Sequence, residues 1–129
     1  MGQANLTLSL LADTLSICRL EPEEDIPAWA LAGNFFSITR TTEELSLVCP
    51  QEAVPRGTRC EKGYRCLKVE GPLDFSLSGI LASLTLPLSQ TGISVFAIST
   101  FDTDYLLVRD TQMDSAVQQL SQAGHHVVQ

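Results

Sequence analysis

The sequence predicts an α+β fold made of two ferredoxin-like βαββαβ modules, the first with degenerate helices, each an antiparallel sheet with helices on one face. Three observations carry this. Residues 92–108, GISVFAISTFDTDYLLV, hold two β-rich runs, 93–100 and 104–108, with Phe101, Asp102 and Thr103 between them as a tight turn. The same pattern stands sixty positions earlier, where FSIT at 36–39 precedes FAIS at 96–99, Leu47-Val48 precedes Leu107-Val108, and Glu44 precedes Asp104. Residues 65–128 read strand, helix, strand, strand, helix, strand.

The elements follow in order. Residues 6–11 and 14–20 read as two strands around a turn at Ala12-Asp13. An acidic loop, 21–25, leads into a brief helix at 27–31, with Pro27 at its first position and Gly33 past its end. Trp29, the one tryptophan, reads as cover for a small core rather than as a ligand contact. Residues 35–41 and 45–49 form the first hairpin, turning at 42–44, and Pro50 ends it because proline cannot donate to a ladder. At most one helical turn fits at 51–54, and residues 58–69 contain a further strand, or a hairpin around 61–63.

The second half has longer helices. Leu77, Ile80, Leu81, Leu84 and Leu88 recur at helical spacing, with Asp74 or Ser76 as a cap and Gly92 past the end. Met113, Ala116, Val117 and Leu120 carry the second helix, opened by a weak capping box at Thr111 and Asp114 and closed by Gly124. Residues 125–128 are a last short strand. Residues 17–21 correspond to 66–70 at an offset of forty-nine, so the first helical connection is the shorter one. Two modules are expected, 1–64 and 65–129, with the degenerate first packed against the complete second.

Composition excludes several classes of function. At 129 residues the chain holds one ordinary domain or two very small ones sharing a core. With 44% hydrophobic and 18% charged residues it folds. A net charge of −7 and a pI near 4.6, with eight Lys and Arg and no basic run, speak against nucleic acid or an anionic membrane as partner. No signal peptide is visible, and no apolar stretch approaches the roughly 20 residues that span a bilayer. A cytoplasmic protein is expected.

Cys18, Cys49, Cys60 and Cys66 form no CxxC pair, and three of them sit in apolar runs as small hydrophobes. A disulfide or a metal site is the less favoured alternative. His125 and His126 are adjacent and point to opposite faces of a strand. No P-loop, GxGxxG, HExxH or GxSxG occurs, so no catalytic residue, metal ligand or cofactor is assigned.

Once these residues are laid out, GPLDFSLSGILASLTLPLSQTGISV and the following AISTFDTDYLLV resemble the ACT domain, a small module that binds amino acids in allosteric enzymes such as aspartate kinase. IPAWAL at 26–31, FFSITRT at 35–41 and FAISTFDTDYLLV at 96–108 resemble small bacterial proteins of two tandem ACT-like halves, themselves similar to the animal CASTOR arginine sensors. The resemblance covers nearly the whole chain and implies a free-standing sensor.

An amino-acid ligand asks for backbone N–H groups at a helix N-terminus for its carboxylate and for an anion to hold its ammonium. By resemblance, Asp74, Phe75, Ser76, Gly79 and Ile80 take one wall of that site. Ser99, Thr100, Phe101 and Asp104 take the other. The commonest ACT loop has a glycine soon after its acidic residue, whereas four residues separate Asp74 from Gly79. Asp74 caps the helix, contacts the ligand, or does both; Asp102 and Asp104 also suit a turn. The expected protein is a non-enzymatic, homodimeric amino-acid sensor, its ligand held at a module or subunit interface and its state read by a protein target. The rival readings are an interaction subunit without a small ligand and a small enzyme. If one hairpin binds, it is the second.

Overall fold

A computed structural model describes residues 5–71 and 79–129. Its strands are β1 (Thr7–Leu10), β2 (Leu15–Leu20), β3 (Ser37–Arg40), β4 (Leu45–Pro50), β5 (Cys60–Val69), β6 (Phe96–Ser99), β7 (Asp104–Arg109) and β8 (His126–Val128). The helices are α1 (Ile80–Gln90) and α2 (Met113–Gln122), and single 3₁₀ turns occupy Ala28–Leu31, Gln51–Ala53 and Asp110–Gln112. The chain is α+β and ferredoxin-like. It divides into two compact units, Asp13–Tyr64 and Met1–Ala12 with Arg65–Gln129.

In the first unit β3 pairs with β4, β4 with β2, and β2 with the first half of β5, all antiparallel. Between Leu15 and Ile17 the β2–β5 register shifts, because Leu15 faces Tyr64 while Ile17 faces Glu61. That bulge holds Gly63, so residues 60–69 form one strand and not a hairpin around 61–63. Both helical connections are single 3₁₀ turns. Gly33 explains the stop after the first: its φ is +78°, and a Cβ there would meet Pro50 Cγ at 2.5 Å. The core is small, with Cys18, Ala30, Leu45 and Leu47 buried and Trp29, Ile38 and Val54 packed on them.

The second unit runs β6-β7-β5-β1-β8 across its sheet. Here the structure departs from the expected 1–64 and 65–129 division. The expected N-terminal module takes in β1 around a turn with β2, but Leu8 pairs with Val69 antiparallel and with Val127 parallel. The physical reason is burial. Leu6 and Leu8 join Leu67, Val69, Leu106 and Val108 on one sheet face, where both helices cover them with Leu84, Leu88, Met113, Ala116 and Leu120. At about 25 cal/mol per Å² of apolar surface, a strand that fills a two-helix core gains more than one paired in a short hairpin.

Caps differ from expectation as well. Gly79 is the N-cap of α1, in the left-handed region at φ +75°, with no side-chain capping bond. Gln112, also without a capping bond, precedes α2, so the box expected on Thr111 and Asp114 does not form. Inside α1, Pro87 has no N–H to give Ser83 O, its partner four residues earlier. His125 fills the gap. Leu6 N–H donates to His125 Nδ1 at 3.2 Å, which leaves Nε2–H to donate to Ser83 O at 3.3 Å. His125 lies just before β8 and is buried, and His126, the first residue of the strand, is exposed.

Candidate functional site

The hairpin β6–β7 is closed by a four-residue connection, 100–103. Thr100 N–H and its Oγ1–H both donate to Thr103 O, at 2.8 and 3.0 Å. Thr103 is buried, and its Oγ1–H donates to Val69 O at 2.6 Å, tying the turn to β5. Just inside the turn Ser99 pairs with Asp104, and Ser99 Oγ–H donates to Asp104 Oδ1 at 2.5 Å. Phe101 stands 80% exposed at the tip.

The first hairpin closes on the same turn chemistry. Thr41 N–H donates to Glu44 O at 2.9 Å, and Glu43 and Glu44 N–H both donate to Thr41 Oγ1 at 3.1 Å. The two turns are therefore fifty-nine positions apart, one residue off the offset of sixty read from sequence. One residue matters because it exchanges the faces of a strand. Leu47 corresponds to Leu106, both buried against helical elements, while Ser99 corresponds to Arg40. Arg40 bonds through Nη1 to Pro22 O and through Nη2 to Glu24 O at 2.8 Å. In the first unit, the position of Ser99 is thus filled by a guanidinium bound to the chain's own carbonyls.

A groove of about 440 Å³ lies between α1 and β6. Thr85 and Ser89 line it from the helix, one turn apart, with Gly92, Val95 and Ala97 from the turn and strand. Alternation places Ser99 on the same strand face as Val95 and Ala97, two residues beyond the groove's last lining residue on β6. The connection between α1 and β6 is short, so the two run antiparallel. Nine helical steps from Ser89 back to Ile80 and four strand steps from Val95 to Ser99 each cover about 13 Å. The start of α1, with Gly79 and Ile80, therefore falls at the same end of this unit as the hairpin tip. Sequence reading missed the groove, whose signal was the pair of small polar residues Thr85 and Ser89 at helical spacing.

Of the nine site residues expected, Ser99 and Asp104 are bonded to each other, Thr100 and Phe101 form the adjoining turn, and Gly79 and Ile80 open α1. Asp74, Phe75 and Ser76 lie outside the described residues. Burial pushes the Cys18 and Cys66 thiols up to about 12 and raises that of Cys49 as well. Among the described residues no group of three His, Cys, Asp or Glu side chains is arranged to hold a metal ion, and no helix is long and apolar enough to cross a membrane.

This architecture places the chain in a class of small α+β modules with a βαββαβ core. A family profile for the ACT domain matches residues 59–122, and a second profile, for an N-terminal domain, matches 13–57. Protein Atu0741 from Agrobacterium tumefaciens is 42% identical, with a TM-score of 0.93 over 98% of this chain and 94% of that one. A protein of unknown function from Vibrio cholerae is 20% identical, with a TM-score of 0.75 over 93% of this chain and 91% of that one. The ligand-free regulatory subunit of aspartate kinase from Thermus thermophilus is 12% identical, with a TM-score of 0.64 over 90% and 96%. The last two likenesses concern the fold alone. No curated protein matches the sequence. The chain is therefore a relative of Atu0741 that carries an ACT domain over residues 59–122, a type of module that is typically regulatory and amino-acid-binding.

Proposed function

We propose that this protein is a non-enzymatic sensor that binds a free amino acid at the end of the second unit where α1 begins and the β6–β7 hairpin turns. The observation that carries the reading is the Ser99–Asp104 pair beside the hairpin turn, at the end of the second unit where α1 begins. Asp104 Oδ1 is engaged by Ser99, and in this reading Asp104 Oδ2 takes the ligand's ammonium. The ligand carboxylate takes N–H groups at the start of α1, where the helix dipole favours an anion. Asp74, Phe75 and Ser76 are proposed to complete this wall. A second copy of the chain closes the site, and ligand stabilises that dimer, whose arrangement a protein target reads. Arg40 argues for a single site per chain, because in the first hairpin it fills the corresponding position.

A thermal-shift panel of the twenty amino acids tests this. A ligand at one hundred times its dissociation constant adds about 2.7 kcal/mol of stability and raises the midpoint by several degrees. If none moves it at millimolar concentration, the sensor reading is lost. Phe101 at 80% exposure and Leu86 at 55% would then favour the alternative, a protein-docking subunit with no small ligand.

A further inference from the structure

Three of the four cysteines converge in the first unit. Cys18 on β2 stands directly opposite Cys60 on β5. Cys49 on β4 is paired with Ser16, two residues along β2, so alternation puts all three side chains on one face. Arg19 N–H donates to Arg59 O at 2.9 Å, which makes that the hydrogen-bonded pair and leaves Cys18 and Cys60 as the neighbouring non-hydrogen-bonded pair. Such partners have Cα atoms about 4.5 Å apart. A disulfide spans about 4.4–6.8 Å, so the backbone already has the separation the bond needs. Cys18 is 1% exposed and Cys60 is half-buried, so solvent reaches the pair from the Cys60 side. Cys49 faces a serine instead of a cysteine, and that serine's Oγ is buried without a hydrogen-bond partner among the described residues.

We propose that Cys60 and Cys18 form a reversible modification site, which a low-molecular-weight disulfide of the glutathione type oxidises to a cross-strand disulfide. The Cys60 thiolate attacks one sulfur of that disulfide, forming a mixed disulfide and releasing one small thiolate. Cys18 gives its proton to solvent and attacks the Cys60 sulfur, releasing the second small thiolate. Two protein thiols are oxidised and one small disulfide is reduced to two thiols. Burial holds the Cys18 thiol up at about 12, so its small thiolate fraction limits the second step. The bridge ties β2 to the first half of β5 and is independent of the amino-acid reading.

The test is incubation of the folded full chain with oxidised glutathione at pH 7, 8 and 9, followed by peptide mapping. The expected product has lost two hydrogen atoms, joins the Cys18 and Cys60 peptides, is reversed by dithiothreitol, and forms about tenfold faster per pH unit. Cys60→Ser, a near-isosteric change at a half-buried position, should abolish the link, while Cys66→Ser should leave it. A Cys18–Cys49 link, a glutathione adduct on Cys60 that fails to convert to the Cys18–Cys60 link even at pH 9, or no reaction with the native protein would each overturn the proposal.

Discussion

Ser99 and Asp104 face each other across the last rung of the β6–β7 hairpin, and Ser99 Oγ–H donates to Asp104 Oδ1 at 2.5 Å. The bond is solvent-exposed, so its net contribution to stability is modest, about 0.5–1.5 kcal/mol. Its proposed value lies in aiming the carboxylate. Asp104→Ala should therefore lower amino-acid affinity at least tenfold by calorimetric titration while shifting the unfolding midpoint only slightly. Ser99→Ala should weaken binding less, because it loosens the carboxylate without removing it. Unchanged affinity in the Asp104 variant would remove that residue from the site. Asp74→Ala should likewise weaken binding far more than it lowers apo stability.

Thr103 makes a different prediction, because it is buried. Its hydroxyl donates to Val69 O at 2.6 Å and fixes the hairpin to β5. Thr103→Val keeps the shape and deletes this donor to the Val69 carbonyl. Denaturant unfolding should show a loss of about 1–3 kcal/mol with little change in slope. A loss under 0.5 kcal/mol would mean that water replaces the hydroxyl.

The Cys66 thiol gives the chain an alkaline limit. Burial pushes it from 9.0 up to about 12. Below pH 9 the thiol is protonated in both folded and unfolded chains, and this contribution to stability is fully present. Between 9 and 12 the unfolded chain releases a proton that the folded chain keeps, so stability falls by at most about 1.4 kcal/mol per pH unit. Cys66→Ala should flatten the decline over that window relative to the parent chain. Parallel declines in the two proteins would show that burial of Cys66 does not set the limit.

Some elements were legible in the sequence and others were not, for physical reasons. The α2 stripe of Met113, Ala116 and Leu120 was readable because one helix face has one period, and the three are buried together. The alternation of Leu6, Leu8 and Leu10 marks a strand face but not its partner, so the placement of β1 between β5 and β8 was invisible. The hairpin correspondence came out one residue off because apolar side chains occupy both faces of β4 and β7, and similarity alone cannot choose between them. Of the candidate site, the Ser99 and Asp104 positions could be read as a strand–turn signal. The groove could not, since small residues such as Thr85, Ser89 and Ala97 define a hollow only once α1 and β6 are side by side.

The last prediction concerns Pro87 and His125. Proline at 87 leaves Ser83 O without its helical donor, and the His125 ring supplies one while accepting from Leu6 N–H. His125→Phe keeps an aromatic ring in the buried position and orphans both backbone groups, at about 1–3 kcal/mol each. The Leu6 amide should also lose hydrogen-exchange protection. His126→Phe, at an exposed site, should stay within about 0.5 kcal/mol of the parent. Pro87→Ala returns an N–H to the helix and so satisfies Ser83 O without the histidine. In that background His125→Phe should cost less by about 1 kcal/mol, the part owed to the Ser83 carbonyl, while the Leu6 amide remains unpaired. A double-mutant cycle that adds up with no coupling would show that the ring and the proline are unrelated, and that His125 stabilises the unit through packing alone.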